Sequence, residues 1–208
     1  MPGTPGPVAD ERACLIAFLS QQHLVLRIAA HGLSDSQARS SASVSTLSVG
    51  GLIKHVTAVE EGWMASVLAA PGPRPEDPRP MEERAADYGS DLVMTEEETL
   101  AGILAAYDER CRRTEEALAT VDLDTPVPVP PAPWFPKNIE AWSVRWVLLH
   151  LIEEIARHAG HADIIRESID GATAYPLMAA VEGWPETPWV TPWRRSEEAR
   201  RDPAQRVV

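Results

Sequence analysis

Glu154 and His158 lie four residues apart, in a stretch that also contains two further histidines. An α-helix turns about 100° per residue, so positions four apart lie within about 40° of each other and share a face. Both side chains could then reach a single ion. His161 continues this stripe three residues beyond His158, and His150 continues it four residues before Glu154.

Apolar residues lie on or beside the same stripe, including Val147, Leu151 and Ile165. The polar side chains therefore point toward a protein interior. Burying a carboxylate and two imidazoles there costs on the order of several kcal/mol unless they are paired or bound to metal. The pattern indicates a ligand site, although an ordinary hydrogen-bonded Glu–His pair at a bundle edge would have the same spacing.

A third ligand is available at His55, beside the apolar stripe that includes Leu52 and Trp63. A single histidine in such a place is also typical of a core or edge residue. Together, His55, Glu154 and His158 provide two imidazoles and a carboxylate. This set suits zinc, nickel or ferrous iron, and three protein ligands leave positions open for water or substrate. The sequence thus predicts a divalent metal site, with zinc as the first candidate.

Four stretches with helical apolar spacing must position these residues, which predicts an all-α four-helix bundle. Proline-rich connections join them at 71–80 and 124–136. We expect a flexible N-terminus over 1–9, the bundle over 10–171, and an irregular C-terminal extension over 172–208 that straps across the bundle. The expected helices run from Asp10 to about Ala30, along the stripe from Leu52 to Val67, from a cap at Thr95 to about Ala119, and from a cap at Ser143 to near Gly171.

The formal net charge of −12 disfavours binding to nucleic acid or to anionic membranes. A basic patch near the C-terminus, which includes Arg200 and Arg201, is interrupted by acidic residues and is typical of a solvated tail. The chain shows neither a secretory signal nor an apolar run long enough to span a membrane, so a cytoplasmic location is expected. Cys14 and Cys111 belong to no paired motif and fit small core residues in a reducing compartment.

Two separated motifs resemble the DinB-like superfamily. The first combines LSVGGLIKHV (47–56) with VEEGW (59–63), and the second is HLIEEIARHAGHAD (150–163). The similarity extends from about Asp10 to Gly171 and is strongest to the actinobacterial mini-circle protein type, which is related to mycothiol-dependent maleylpyruvate isomerases.

The resemblance implies a bundle with up-down-down-up helix order and a metal held by a histidine of the second helix and a pair on the last helix. Many relatives have His-x-x-x-His in the last helix. This chain has Glu154 in the first of those places, as the maleylpyruvate isomerases do. His161 stands where many relatives carry Gln, so it is either a fourth ligand or a hydrogen-bonding neighbour of the ligands.

The same resemblance implies a metal-dependent transferase or isomerase that uses a low-molecular-weight thiol such as mycothiol. The metal would bind the sulfur and lower its pKa, so the protein would need no nucleophile of its own. Arg157 or Arg166 could hold substrate carboxylates, or could form ordinary salt bridges on the helix surface. The partners would be a small thiol and an electrophile, and a homodimer is possible because relatives often pair through helices.

Two other hypotheses remain open at this point. In one, the protein is a non-catalytic, stress-related bundle that binds a metal or ligand. In the other, the bundle has lost its metal and acts as an interaction partner. Trp134, Phe135 and the C-terminal tryptophans could line a substrate pocket or cover the core.

Overall fold

The computed structural model describes residues 3–75, 77–80, 82–83, 89–130, 132 and 135–195. The basic tail residues Arg200 and Arg201, and Trp134, lie outside these ranges. The elements are α1 (Glu11–Ala29), α2 (Asp35–Arg39), α3 (Val49–Ala69), α4 (Leu100–Leu118), β1 (Pro126–Pro128), β2 (Ala141–Ser143), α5 (Val144–Asp170) and α6 (Ala174–Glu182).

The four long helices α1, α3, α4 and α5 form a bundle, which confirms the predicted all-α fold. Helix α5 packs against both α1 and α3, and α4 packs against the same two helices from the other side. Consequently α1 and α3, which follow each other among the long helices, lie across a diagonal of the bundle. One apolar core fills the space between all four, with Leu26, Leu52, Leu118 and Leu151 fully or almost fully buried.

Side-chain caps fix the starts of these helices. The side chains of Asp10, Ser48 and Ser143 accept hydrogen bonds from backbone amides in the first turns of α1, α3 and α5. Helix α5 ends at Gly171, whose φ of 76° is the left-handed conformation that favours glycine. The cap predicted at Ser143 and the end predicted near Gly171 therefore agree with the structure.

The cap predicted at Thr95 is wrong, because α4 begins after Thr99. The reason lies with Glu98, whose carboxylate accepts a hydrogen bond from the Thr95 amide and forms an ion pair with Lys54 of α3. These contacts hold 95–98 in a separate turn. The side chain of Thr99 then accepts from the amide of Gly102 and starts the helix.

The prediction of an irregular C-terminal extension is wrong for 174–182, where the chain forms α6. Pro176 does not prevent this helix, because it lies in the first turn, where backbone amides have no partner within the helix. Leu177 and Met178 bury the apolar face of α6 in a small cluster with Ile28 of α1. After α6 the tryptophans behave differently from one another: Trp193 packs beside this cluster, whereas Trp189 is 94% exposed.

The connection over 124–136 contains one regular element that the proline pattern did not predict. Strand β1 pairs antiparallel with β2, in the register Val127 opposite Trp142. Proline is tolerated here because a two-stranded ribbon consists only of edge strands. Val127 is fully buried in the bundle core. The ribbon thus brings Trp142 to the start of α5. No helix in the described part of the chain is long and apolar enough to cross a bilayer.

Candidate metal centre

His55, Glu154 and His158 come together between α3 and α5. The carboxylate oxygen Oε1 of Glu154 lies 3.2 Å from Nε2 of His158 and 3.7 Å from Nε2 of His55. The two imidazole rings have centroids 4.9 Å apart and are close to perpendicular. The residues singled out by their spacing therefore share one place in the fold, with a possible ligand atom from each within 4.8 Å of the others.

These separations fit a small divalent ion. Zinc bonds to nitrogen and oxygen of about 2.0–2.2 Å place the ligand atoms of a tetrahedral site about 3.3–3.6 Å apart. The two measured distances bracket this range. In addition, Nδ1 of His158 is buried without a hydrogen-bond partner among the described residues. Both imidazoles direct Nε2 at the carboxylate, so the donor set is suited to a shared cation.

The electrostatics favour the charged form of the carboxylate. Hydrogen bonding to His158 and then to His55 holds the pKa of Glu154 well below its usual range, despite partial burial that acts in the opposite direction. Ligands must be deprotonated to bind a metal. Glu154 therefore offers a negatively charged oxygen at neutral pH.

A cavity of about 460 Å³ lies against this cluster, and His55 forms part of its wall. The rest of the wall comes from α3, from the connection that follows it and from the segment beyond β1. It includes Val59, Trp63, Arg74 and Phe135. Phe135 thus lines a pocket, which was one of its two predicted roles. The cavity could hold a small substrate beside a metal bound by His55.

Aromatic rings fill the region between the cavity and the start of α5. Trp63 contacts Phe135, Trp142 and Trp146 at centroid distances of 5.6–6.0 Å. His150 belongs to this group and not to the metal ligands, because its ring lies 4.9 Å from Trp63 and stacks on Trp146.

His161 and the two arginines lie differently from the three ligands. His161 is exposed, with its ring 5.6 Å from that of His158, which fits a neighbour of the site. Arg157 is exposed on α5 and is not part of the cavity wall. Arg166 is fully buried, and its guanidinium donates to Asp170 and to the carbonyl oxygens of Ala29 and His31.

Arg74 is a basic residue of the cavity wall that no sequence pattern predicted. It lies in the proline-rich connection after α3, a segment without a periodic pattern that would show where its side chain points. Its guanidinium donates to the carbonyl oxygen of Gly62 at 3.2 Å, which fixes it against α3.

Comparisons with known proteins bear on the family and the fold of the chain. The sequence model of the mycothiol-S-transferase family, a DinB-like family, matches residues 14–171. Among solved structures, the chain is similar to a conserved protein from Enterococcus faecalis, with a TM-score of 0.51 and 16% sequence identity over 79% of this chain and 100% of that chain. At this identity the likeness shows the fold alone. No curated protein matches the sequence.

Proposed function

Because the chain belongs to the mycothiol-S-transferase family, we propose that it is a metal-dependent transferase acting on a low-molecular-weight thiol such as mycothiol. His55, Glu154 and His158 would hold one divalent ion, with zinc as the first choice. The observation that carries the proposal is the convergence of these three ligand atoms against a substrate-sized cavity. Three protein ligands leave room for an exogenous thiol.

A divalent ion at this position supplies a lowered thiol pKa and so a thiolate at neutral pH. The transfer forms a bond from sulfur to an electrophilic carbon. The leaving group departs with the bonding electron pair, and the thiol proton is released to water. The family name supports a thiol substrate, while the second substrate stays open between an alkylating agent and another small electrophile.

The side chains of this chain have separate roles in the proposal. Glu154 would offset one of the two positive charges of the ion, and His55 and His158 would hold the ion in place from two different helices. Trp63 and Phe135 provide apolar walls that exclude water from the thiol. Arg74 adds a positive charge to a cavity wall that also includes Asp77 and Asp91.

The first test measures metal binding. Protein purified without a tag is stripped with a chelator, reloaded with Zn²⁺ and analysed for bound metal, alongside the variants His55→Ala and His161→Ala. We expect His55→Ala to weaken binding at this site by more than about 100-fold, because a ligand should matter more than an outer neighbour, worth about 10–100-fold. His161→Ala, at an exposed neighbour of the ligands, is the comparison variant and should weaken binding within that smaller range. Equal retention in both variants would remove His55 from the site.

The second test measures chemistry. Mycothiol, or cysteine as a simpler thiol, is incubated with a panel of alkyl halides and epoxides, and loss of free thiol is followed with loaded and metal-free protein. Turnover by the loaded wild type that His55→Ala abolishes is the expected result. Bound metal without turnover on any pair would favour the non-catalytic metal-binding hypothesis instead.

A further inference from the structure

A second cluster of possible metal ligands lies inside the bundle, among α1, α3 and α4. It consists of His23, Glu60 and Cys111, and each offers a ligand atom within 4.8 Å of the other two. Nε2 of His23 and Oε2 of Glu60 are 2.9 Å apart. Glu60 is completely buried and His23 is 5% exposed, so the pair is sequestered from water.

The hydrogen bond between His23 and Glu60 leaves part of their bonding capacity unused. Nδ1 of His23 and Oε1 of Glu60 are both buried without a hydrogen-bond partner among the described residues. Buried polar atoms in native proteins almost always have a partner. Both atoms can carry lone pairs, which a cation would satisfy. The cluster therefore has a feature that an ordinary buried ion pair lacks.

Cys111 lies one turn beyond Tyr107 on α4 and is partly buried. The Tyr107 hydroxyl donates to the backbone carbonyl of His23, and its ring packs edge-on against the His23 imidazole. The Cys111 sulfur is the third possible ligand atom of the cluster, and a metal would bind it as the thiolate.

We propose that His23, Glu60 and Cys111 form a second divalent cation site, with the nitrogen, oxygen and sulfur donors that suit Zn²⁺. The ion carries two positive charges, which the Glu60 carboxylate and the Cys111 thiolate balance. Binding releases the thiol proton to solvent. Because the three ligands come from three helices, the ion would tie α1, α3 and α4 together. It is independent of the site at His55.

Co²⁺ provides a test that separates the two sites, since thiolate ligation gives a sulfur-to-cobalt charge-transfer band in the near ultraviolet. Reduced, chelator-stripped full-length protein is titrated with Co²⁺. We expect two ions per chain and one thiolate band. Cys111→Ser should lose the band and bind at least tenfold more weakly at one of the two sites. Cys14→Ser, the matched control, should retain both. His55→Ala should lose the other ion and keep the band.

A second measurement uses the wild-type protein and does not depend on how a variant folds. The two cysteines are alkylated with and without Zn²⁺, and the modified peptides are quantified by mass spectrometry. Zn²⁺ should protect Cys111 and leave Cys14 unchanged. The proposal is overturned if the band is absent, if it persists in Cys111→Ser, or if Zn²⁺ protects neither cysteine. Whether His55→Ala loses the ion beside Glu154 and His158 tests the proposed function and not this second site.

Discussion

Two of the couples of histidine and glutamate in the described part of the bundle have different surroundings. At Glu154 and His158, the side chains are 25% and 14% exposed, and the cluster borders a cavity. At His23 and Glu60, they are 6% and 0% exposed, enclosed by helices. The same two residue types thus form one site that a substrate could approach and another that only an ion could occupy.

The third residue of each cluster makes the contrast sharper. His55 adds a neutral ligand, so a divalent ion beside Glu154 would keep one positive charge for an incoming thiolate. Cys111 adds a second anionic ligand, so an ion beside Glu60 would have its charge fully balanced. Each cluster supplies three ligands, but a catalytic zinc site also needs an open position that a substrate can reach, and the described cavity borders the cluster of Glu154. Exposure and donor charge therefore lead to the same assignment for each cluster.

Removing the carboxylate should have its largest effect at the closed cluster. In metal-free protein, we expect Glu60→Ala to lower the free energy of unfolding by about 4 kcal/mol, the range for breaking a buried pair. Glu154→Ala should cost about 1 kcal/mol, because its pair is partly solvated. Urea denaturation of both variants gives the comparison. Similar losses in the two would mean that the clusters do not differ in burial as described.

The helix that carries His55 should be much less tolerant of added volume than the helix that carries Glu154. A Cβ at Gly51 would lie 2.0 Å from the backbone carbonyl oxygen of Leu92, whereas Gly160 on α5 has nothing within 4 Å. We expect Gly51→Ala to cost about 3 kcal/mol through overpacking. Gly160→Ala should stabilise α5 by about 0.5–1 kcal/mol.

Thermal or urea unfolding of both glycine variants checks this, and the metal content of Gly51→Ala adds a second readout. On α3, His55 lies about one turn from Gly51, whereas Glu60 lies more than two turns from Gly51. The open site should therefore lose its ion more readily than the closed one. If Gly51→Ala left the free energy of unfolding unchanged, the backbone around Leu92 would have to shift at little cost.

The sequence predicted the bundle because helical spacing is a local, periodic signal. The grouping of His55 with Glu154 and His158 rested also on the resemblance to the DinB-like superfamily, since no local signal links α3 to α5. Proline runs and caps marked most helix ends, and the four-residue spacing of Glu154 and His158 placed them on one face. Thr95 and Thr99 were harder to separate, since both precede helix-forming residues. The difference between them depends on a tertiary contact, the ion pair between Glu98 and Lys54 of α3.

The closed cluster was not predicted, because His23, Glu60 and Cys111 come from three separate helices. A single polar residue on each apolar face carries no signal until the packing of α1, α3 and α4 is known. Arg166 was misleading for a related reason. Its position on α5 suggested a surface or substrate role, but burial beside Asp170 and the carbonyl oxygens of Ala29 and His31 makes it a support between helices.

The aromatic wall should distinguish the open site in a binding experiment. Trp63→Ala removes a ring that contacts Phe135 and Trp142 at the cavity. We expect KM for the thiol or the electrophile to rise about tenfold, the equivalent of one aromatic contact, while bound metal is unchanged. Trp189→Ala, at a tryptophan that is 94% exposed, is the control and should leave KM unaltered. Loss of metal in Trp63→Ala would make its role structural.

The smallest expected effect concerns Asp163, which lies one turn and a half beyond His158 on α5. Burial and then the charge of Glu167 raise the pKa of Asp163 to about 6, the opposite of the lowering at Glu154. An acid with a raised pKa in the folded state favours folding when it is protonated. This contribution is therefore complete below about pH 4, near the unfolded pKa, and is lost as the pH rises toward 6.

Asp163→Asn should accordingly stabilise the protein at pH 7.5 by about 1 kcal/mol, a figure reduced for the solvent screening of a half-buried group. Near pH 3 the gain should largely disappear, since the wild-type carboxyl is then mostly protonated in both states. Urea denaturation at the two pH values measures the difference. Glu167→Gln removes only the weaker cause and should show a smaller gain with the same pH dependence. An equal gain at both pH values would assign the effect to packing instead of to charge.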